Sequence, residues 1–218
     1  MELKGKKVNF LGDSITEGHG TSSEEYRFTN IIQREYGLSE ARNYGIGGTR
    51  IARQRKPSED ARWDLDFCGR YSQMEDDADI VVVFGGTNDF GHGDAPFGNI
   101  NDTDVYTFCG SCNVLYDGLR SKYPHIPIVV VTPTHRDNEN NPKGDGYKDF
   151  DCILAEYVQA IKKVAENHGF FVLDLFDEKE NSDVCLLKKE FFPDGLHPDN
   201  RGHRVLAKLI AEYLEKLN

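Results

Sequence analysis

The chain has 218 residues and a mass of 24.7 kDa, which suffices for one domain with a full hydrophobic core and no need of disulfides or a structural metal. Its 26 Lys and Arg against 37 Asp and Glu give a formal charge of −11, which argues against nucleic acid or an anionic membrane as a partner. We therefore expect a single domain over residues 1–218. The sequence gives no indication of the oligomeric state.

Apolar runs and amphipathic segments alternate along the chain. The apolar runs are bounded by turn residues and predict five short strands, at 8–11, 41–45, 80–84, 126–132 and 170–176. The amphipathic segments predict helices at 26–36, 105–123, 150–168 and 200–217. Strands joined by helical crossovers predict a mostly parallel sheet with helices on both faces, that is, an α/β fold of three layers (α/β/α).

The first predicted strand ends at a turn, Gly-Asp-Ser-Ile-Thr at 12–16, that carries a serine. Ser14 would lie exposed at the carboxyl edge of a parallel sheet, close to backbone N–H groups. Near the other end, Asp194 and His197 lie three residues apart in Asp-Gly-Leu-His-Pro. The two segments together supply a nucleophile, a base and an orienting carboxylate, although each alone is also an ordinary turn sequence.

Two further polar segments follow predicted strands, Asn-Tyr-Gly-Ile-Gly-Gly-Thr at 43–49 and Gly-Gly-Thr-Asn-Asp at 85–89. With the four segments in this order, the chain resembles the SGNH hydrolases, also called the GDSL esterase/lipase family. That family is named for a Ser, a Gly, an Asn and a His in four separated blocks. The resemblance runs from Gly12 to His197, and it departs from the family name at Ile15, where Leu is exchanged for another apolar residue.

The resemblance implies a flavodoxin-like five-stranded sheet and a serine esterase that cleaves carboxylic esters of small molecules. By the resemblance, Ser14 is the nucleophile, His197 the base and Asp194 the residue that orients the base. It implies no cofactor and no metal. The chemistry asks for the same residue types, because a neutral imidazole must take the serine proton during attack and a carboxylate fixes its tautomer.

The resemblance also implies an oxyanion hole made of three donors. These are the Ser14 backbone N–H, a glycine N–H from the second block and the Asn88 side-chain amide. The family spacing places the glycine five residues after Asn43, which selects Gly48, and Gly47 is left open. An amide suits this role because it is polar, neutral and unable to act as a base.

Three polar insertions, at 49–66, 91–104 and 133–148, follow strand ends and either overhang the site or are plain solvated connectors. Within them, Trp63 either forms an aromatic wall for a ligand or packs its loop against the core. His92 is either a substrate contact or a histidine on the surface of its loop, and we favour the surface position. His135 and Arg136, just after the fourth predicted strand, either contact an anionic or sugar substrate or are charged loop residues, and we favour the second interpretation.

Two residues near the site blocks have ordinary structural interpretations. His203 lies in the last predicted helix, six residues after His197, and we expect it to cap the helix or to pack at its surface. Asp13 is expected to form the turn before Ser14 rather than to serve as a second catalytic carboxylate.

Five cysteines, an odd number, stand at positions 68, 109, 112, 152 and 185 and suggest a reducing compartment. The pair at 109 and 112 has neither a second pair nor a nearby His for zinc, and no strand directly precedes it as in a thioredoxin-like site. Residues 1–7 show no apolar signal core, and no run approaches the roughly 18 apolar residues of a membrane span. We expect a cytoplasmic protein without a membrane span.

Polar insertions and modest apolar content favour a short acyl ester, such as an acetylated sugar, over a long-chain lipid. A thioesterase or lysophospholipase of the same family is the alternative. A catalytically silent ligand-binding module and a nucleotide or flavin binder are rivals from other classes. The chain has no Walker sequence and no GxGxxG spacing at 45–48, which speaks against the nucleotide binder.

Overall fold

The computed structural model describes residues 1–146, 151–177, 183 and 186–217. Within these ranges five strands form one sheet, in the order β2-β1-β3-β4-β5 with all neighbours parallel. The predicted α/β fold class with a parallel five-stranded sheet is confirmed. The strands are β1 (Lys7–Gly12), β2 (Glu40–Gly45), β3 (Ile80–Phe84), β4 (Ile128–Val131) and β5 (Phe171–Leu173).

Helices connect the strands. The four long ones are α2 (Phe28–Tyr36), α5 (Phe108–Lys122), α6 (Leu154–Asn167) and α7 (Asn200–Glu215), and they confirm the four predicted helices with ends shifted by a few residues. Residue 150, where the third predicted helix began, lies outside the described residues. Three helices of four to six residues were not predicted, because so few residues cannot display a helical period. They are α1 (Ser14–Glu17), α3 (Phe67–Arg70) and α4 (Thr87–His92).

The sheet is covered on both faces because its central strands alternate between two apolar cores. On β3, Ile80 and Val82 belong to the core that α2 and α7 cover, whereas Val81 and Val83 belong to the core that α5 and α6 cover. Successive side chains of a strand point to opposite faces, so a strand buried on both faces is apolar throughout. This arrangement gives the three layers expected from the sequence.

The strand order places the polar blocks of the sequence at one edge. In a sheet of order 2-1-3-4-5, ligands bind at the carboxyl ends of the strands, where the direction of the connections reverses beside β1. Helix α1 follows β1 after a single residue, and α4 follows β3 after a two-residue turn. The turn at residues 46–48 follows β2. Three of the four blocks therefore meet at the same edge.

A buried arginine ties these strand ends together. The Arg70 guanidinium donates hydrogen bonds to the carbonyl of Gly12 at 2.6 Å, to the carbonyl of Tyr44 and to the Thr49 hydroxyl at 2.9 Å. Gly12 ends β1 and Tyr44 lies in β2. Burial lowers the pKa of Arg70 to about 10, so the group stays charged at neutral pH. It holds the end of β1, which precedes Ser14, against the turn that follows β2.

Four cysteines, at positions 68, 109, 112 and 152, are free thiols. The fifth cysteine of the sequence, Cys185, lies outside the described residues. Over the described part of the chain, no helix has both the length and the apolar character needed to cross a bilayer.

Candidate active site

Ser14 is the first residue of α1, and Asp13 caps that helix. One carboxylate oxygen of Asp13 accepts a hydrogen bond from the Ile15 N–H at 3.0 Å. Asp13 therefore has the turn-forming role expected from the sequence, and burial raises its pKa to about 7. The Ser14 N–H itself donates no hydrogen bond within the described residues and is available to a ligand.

The three predicted triad residues are brought together at the sheet edge. The Ser14 Oγ lies 2.9 Å from the Nε2 of His197, whose Nδ1 lies 2.7 Å from an oxygen of Asp194. The other oxygen of Asp194 accepts the backbone N–H groups of His197, at 2.7 Å, and Leu196, at 3.0 Å. One carboxylate thus holds both the ring and the backbone of the histidine.

The electrostatic setting keeps this imidazole neutral. Burial lowers the pKa of His197 below its ordinary 6.5, although Asp194 acts to raise it. For Asp194, burial acts to raise the pKa, but the hydrogen bonds from the backbone and ring of His197 outweigh it and the pKa falls to about 2. At neutral pH the pair is therefore a neutral imidazole beside a charged carboxylate, the state that a general base requires.

The hydrogen bonds distinguish the two glycines that the sequence left open. The Gly47 N–H donates to a Glu17 carboxylate oxygen at 2.7 Å. The Gly48 N–H has no hydrogen-bond acceptor among the residues described, and Gly48 has a positive φ of 75°. Only the second of these N–H groups is free to stabilise a developing negative charge.

Asn88 lies in the first turn of α4 and is buried. Its side-chain nitrogen donates one hydrogen bond to the carbonyl of Thr49 at 2.9 Å. An amide nitrogen carries two hydrogens, so one is left for a ligand. Asn88 lines the same cleft as Ser14 and Gly48.

The next residue along the chain, Asp89, also shapes the site. Its two oxygens accept the backbone N–H groups of Ile51 and Ala52 at 2.9 Å each. Burial raises its pKa to about 6. Asp89 thereby fixes the chain that leaves the glycine turn and enters the first polar insertion.

A cleft of about 750 Å³ opens above the serine. Each of the three polar insertions contributes residues to it, so of the two interpretations left open, the insertions overhang the site. Residues 147–148 of the third insertion lie outside the described ranges. We call this space the cleft throughout. Its lining residues are Ser14, Glu17, His19, Gly47, Gly48, Arg50, Gln54, Lys56, Pro57, Ser58, Glu59, Arg62, Trp63, Asn88, His92, Asp94, Asp145, Leu196 and His197.

Trp63 forms part of the wall of the cleft, one of the two roles considered for it. The expectation that His92 lies on the surface was wrong. His92 ends α4, four residues after Asn88 and hence on the same helical face. Its ring lies 5.1 Å from the Trp63 ring, and its Nδ1 lies 3.0 Å from a nitrogen of Arg50. The sequence predicts a loop at His92, whereas the residue belongs to a short helix that directs its side chain towards the cleft.

His203 was also expected in the wrong place, because it is neither a cap nor a surface residue. Its ring is fully buried and stacks on Phe28 at 6.0 Å. Its Nδ1 accepts the Phe28 N–H at 3.2 Å, and burial lowers its pKa to about 4. The residue lies on the face of α7 that packs against α2, and the stack on Phe28 explains its burial.

His135 and Arg136 of the third insertion lie outside the cleft lining. His135 stacks on Phe176 at 4.1 Å and contacts Glu139 at 3.0 Å. Arg136 pairs with Asp145 at 2.7 Å. Their contacts are those of charged loop residues that hold the insertion in place.

Reasoning from the sequence did not single out several cleft residues, among them Glu17, His19 and Arg50. The His19 ring lies 4.5 Å from the His197 ring. The spacing of Glu17, three residues after Ser14, places both side chains on one face of a helix. This spacing becomes a signal only once a helix is known to begin at Ser14. No local signal marks Arg50, whose partners lie 8 to 42 residues further along the chain. Within the described ranges no three His, Cys, Asp or Glu residues cluster in a metal-binding arrangement.

The strand order and the three layers are those of the SGNH hydrolase fold, and they place the protein in this structural class. The GDSL-like lipase/acylhydrolase family model matches residues 10–205, and the chain belongs to this family. The family is one of hydrolases. No curated protein sequence matches the chain significantly.

Solved structures are similar over nearly the whole chain. One, from Lactobacillus plantarum, is 26% identical with a TM-score of 0.77 and covers 99% of both chains. A member of the lipolytic G-D-S-L family from Veillonella parvula is 18% identical with a TM-score of 0.61, over 97% of this chain and 99% of its own. A variant of an acetyl-xylooligosaccharide esterase from Geobacillus Stearmophilus is 20% identical with a TM-score of 0.60, over 100% of this chain and 98% of its own. At such identities the last two show the shared fold alone.

Proposed function

We propose that this protein is a serine esterase that cleaves carboxylic esters through an acyl-enzyme on Ser14. His197 is the general base and Asp194 orients it. The observation that carries the proposal is the continuous hydrogen-bonded chain from Asp194 through His197 to Ser14, with distances of 2.7 and 2.9 Å. This chain ends in the cleft with a serine oxygen as its last atom.

In the proposed reaction, the Ser14 Oγ attacks the ester carbonyl carbon while the His197 Nε2 takes its proton. The imidazolium then gives this proton to the leaving alcohol oxygen as the C–O bond breaks, and the acyl group stays on Ser14. A water molecule, deprotonated by the same Nε2, then attacks the acyl carbon. The Nε2 returns that proton to the Ser14 Oγ as the bond between the acyl carbon and Oγ breaks, and the acid is released. Asp194 stays ionised throughout and stabilises the transient imidazolium.

The proposed oxyanion hole consists of the Ser14 N–H, the Gly48 N–H and the Asn88 side-chain N–H. Each has a hydrogen without a partner among the residues described, and all three residues line the cleft. Donors already in place before the reaction need no reorganisation when the carbonyl oxygen gains charge. The Gly47 N–H does not take part, since Glu17 occupies it.

For the substrate we propose an ester of a short acyl group, in particular an acetylated carbohydrate. Hydrogen-bonding side chains of the first insertion line the cleft beside the Trp63 indole. A flat aromatic surface beside several polar groups suits a polar ring rather than a long alkyl chain. One structural neighbour is an acetyl-xylooligosaccharide esterase, and this agrees with the proposal.

A panel of esters tests this function. We expect wild-type kcat/KM to be highest for acetyl esters, to fall as p-nitrophenyl esters lengthen from acetate to octanoate, and to be highest of all for acetylated xylosides. Ser14→Ala should abolish these activities. A preference for octanoate would favour a lysophospholipase, and a preference for acyl thioesters a thioesterase. Hydrolysis of no member would favour a silent binding module.

We further propose that residues 1–218 form one hydrolase domain. The two apolar cores lie on opposite faces of the same sheet and draw on helices from both halves of the sequence.

A further inference from the structure

Two histidines line the cleft besides the proposed base, and one of them, His92, is held in a single protonation state by its neighbours. His92 is the last residue of α4 and lies one helical turn after Asn88. Its ring packs against Trp63 at 5.1 Å. It therefore lies in the wall of the cleft that leads from the oxyanion hole to the first insertion.

The partner of its Nδ1 is a buried arginine. The Arg50 side chain is 3% exposed, and one of its nitrogens donates to the Ser58 hydroxyl at 2.6 Å, the Trp63 carbonyl at 3.1 Å and Asp64 at 2.9 Å. These contacts fix the guanidinium. The other terminal nitrogen lies 3.0 Å from the Nδ1 of His92.

This contact determines the tautomer of the imidazole. A guanidinium offers only hydrogen-bond donors and does not lose its proton in proteins. The Nδ1 of His92 must therefore be the acceptor and carry no hydrogen. The single ring hydrogen is then on Nε2, which can only donate.

The surrounding charges keep His92 in this neutral form. Burial lowers its pKa to about 4, the charges of Arg50 and Arg136 act in the same direction, and Asp145 opposes them. The Asp145 carboxylate is itself engaged by Arg136, at 2.7 and 2.8 Å. Protonation of His92 would direct an N–H at the Arg50 guanidinium, so the neutral state persists where the proposed base works.

The Nε2–H of His92 has no hydrogen-bond acceptor in the part of the chain that the structure describes. Because His92 lines the cleft, this N–H is available to a bound ligand. We propose that His92 is a specificity-determining residue whose fixed Nε2–H donates a hydrogen bond to a hydroxyl or ring oxygen of the bound ester. This inference rests on the proposed esterase function and narrows its substrates to esters of oxygen-rich alcohols such as sugars.

A matched pair of substrates and variants isolates this hydrogen bond. His92→Asn keeps an acceptor oxygen near the position of Nδ1 for Arg50, but its shorter side chain does not reach the position of Nε2. The substrates are an acetylated methyl xyloside and cyclohexyl acetate, which share a six-membered ring but differ in the extra oxygens. His135→Asn, outside the cleft lining, is the control for loss of a histidine.

We expect His92→Asn to lower kcat/KM for the acetylated xyloside by about 3- to 10-fold, the usual range for one neutral hydrogen bond. The value for cyclohexyl acetate should change by less than about twofold, and His135→Asn should alter neither. An equal loss on both esters, or no loss on the xyloside, would overturn the proposal.

A second measurement does not depend on turnover. Nitrogen-15 NMR of the wild-type side chains should show His92 as the neutral Nε2–H tautomer from pH 5 to pH 8. Titration of His92 near pH 6.5 or an Nδ1–H tautomer would overturn the proposal.

Hydrolysis of phenyl acetate by the wild-type protein distinguishes a failure of the esterase proposal from a failure of the His92 proposal. If the wild-type protein hydrolyses phenyl acetate but His92→Asn shows no selective loss on the xyloside, only the His92 proposal fails. If the wild-type protein does not hydrolyse phenyl acetate, the esterase proposal fails, and the His92 proposal fails with it.

Discussion

The indole of Trp63 packs directly on the backbone of Gly48, so that a methyl group added at Gly48 would lie 2.1 Å from the Trp63 Cδ1. The wall of the cleft and the proposed oxyanion glycine are thus one packing unit. Glycine is required here for two reasons: the absence of a Cβ and the positive φ of 75°.

Gly48→Ala should reduce both stability and activity, although the backbone N–H is kept. The left-handed backbone costs roughly 1–2 kcal/mol for a residue with a Cβ, and the clash with Trp63 adds to it. We expect a lower melting temperature and at least about a tenfold loss of kcat/KM, since small misplacements of a catalytic group are costly.

The control for this prediction is Gly47→Ala. A methyl group at Gly47 would lie 2.8 Å from a Glu17 carboxylate oxygen, the far end of a side chain that can move. The Gly48→Ala, Trp63→Ala double variant should regain the part of the stability that the clash removed. A Gly47→Ala variant that loses more activity than Gly48→Ala would reverse the assignment of the oxyanion glycine.

The dependence of activity on pH should reflect His197. Because burial lowers its pKa below 6.5, kcat/KM should rise with a midpoint below pH 6.5 and stay level through pH 7 to 8. Asp194 raises the pKa of His197, so Asp194→Asn should move the midpoint to lower pH as well as reducing the rate. A midpoint above pH 7 in the wild-type protein would contradict this assignment.

Asn88→Ala should act on the transition state rather than on substrate binding. Loss of one oxyanion donor typically reduces kcat by about 10² to 10³, and KM should change little because the neutral ester oxygen attracts the donor weakly. Steady-state kinetics on phenyl acetate measure both constants. Asn88 also holds the Thr49 carbonyl at 2.9 Å, so a variant with raised KM and intact kcat would show a purely structural role.

His203 should make unfolding easier in acid. Its pKa is about 4 in the folded protein against 6.5 when exposed, so the unfolded chain binds the proton more readily. Neutral His203 therefore contributes to the free energy of unfolding in full above pH 6.5, and this contribution is lost as the pH falls towards 4. Between pH 7 and pH 5 the loss should be about 2 kcal/mol.

Denaturant unfolding of the wild-type protein and His203→Asn isolates this contribution. Asparagine keeps an acceptor for the Phe28 N–H and does not titrate, while the buried carboxylates Asp13 and Asp89 contribute equally to both proteins. The stability difference between the two proteins should shrink by about that amount from pH 7 to pH 5. A difference that is constant over this range would mean that His203 does not titrate between the two states.

Much of the architecture could be predicted from the sequence, because it depends on local patterns. The run at 80–84 is apolar throughout, and β3 is buried on both faces. Ser14 and Asn88 could be singled out as candidates because each follows a strand, and the carboxyl ends of parallel strands meet at one edge.

The features that could not be predicted depend on contacts between distant segments. The choice between Gly47 and Gly48 rests on the Glu17 carboxylate, which reaches Gly47 from 30 residues earlier in the chain. The position of His92 rests on Arg50, 42 residues away, and that of His203 on Phe28. No periodicity or spacing encodes such pairings.

Covalent labelling of Ser14 tests the central claim most directly. A fluorophosphonate should add one adduct to the wild-type protein, located on Ser14 by peptide mass spectrometry, with activity lost in proportion to labelling. The Ser14→Ala and His197→Ala variants should remain unlabelled over the same time. An adduct on another residue, together with an active Ser14→Ala protein, would contradict the proposed mechanism.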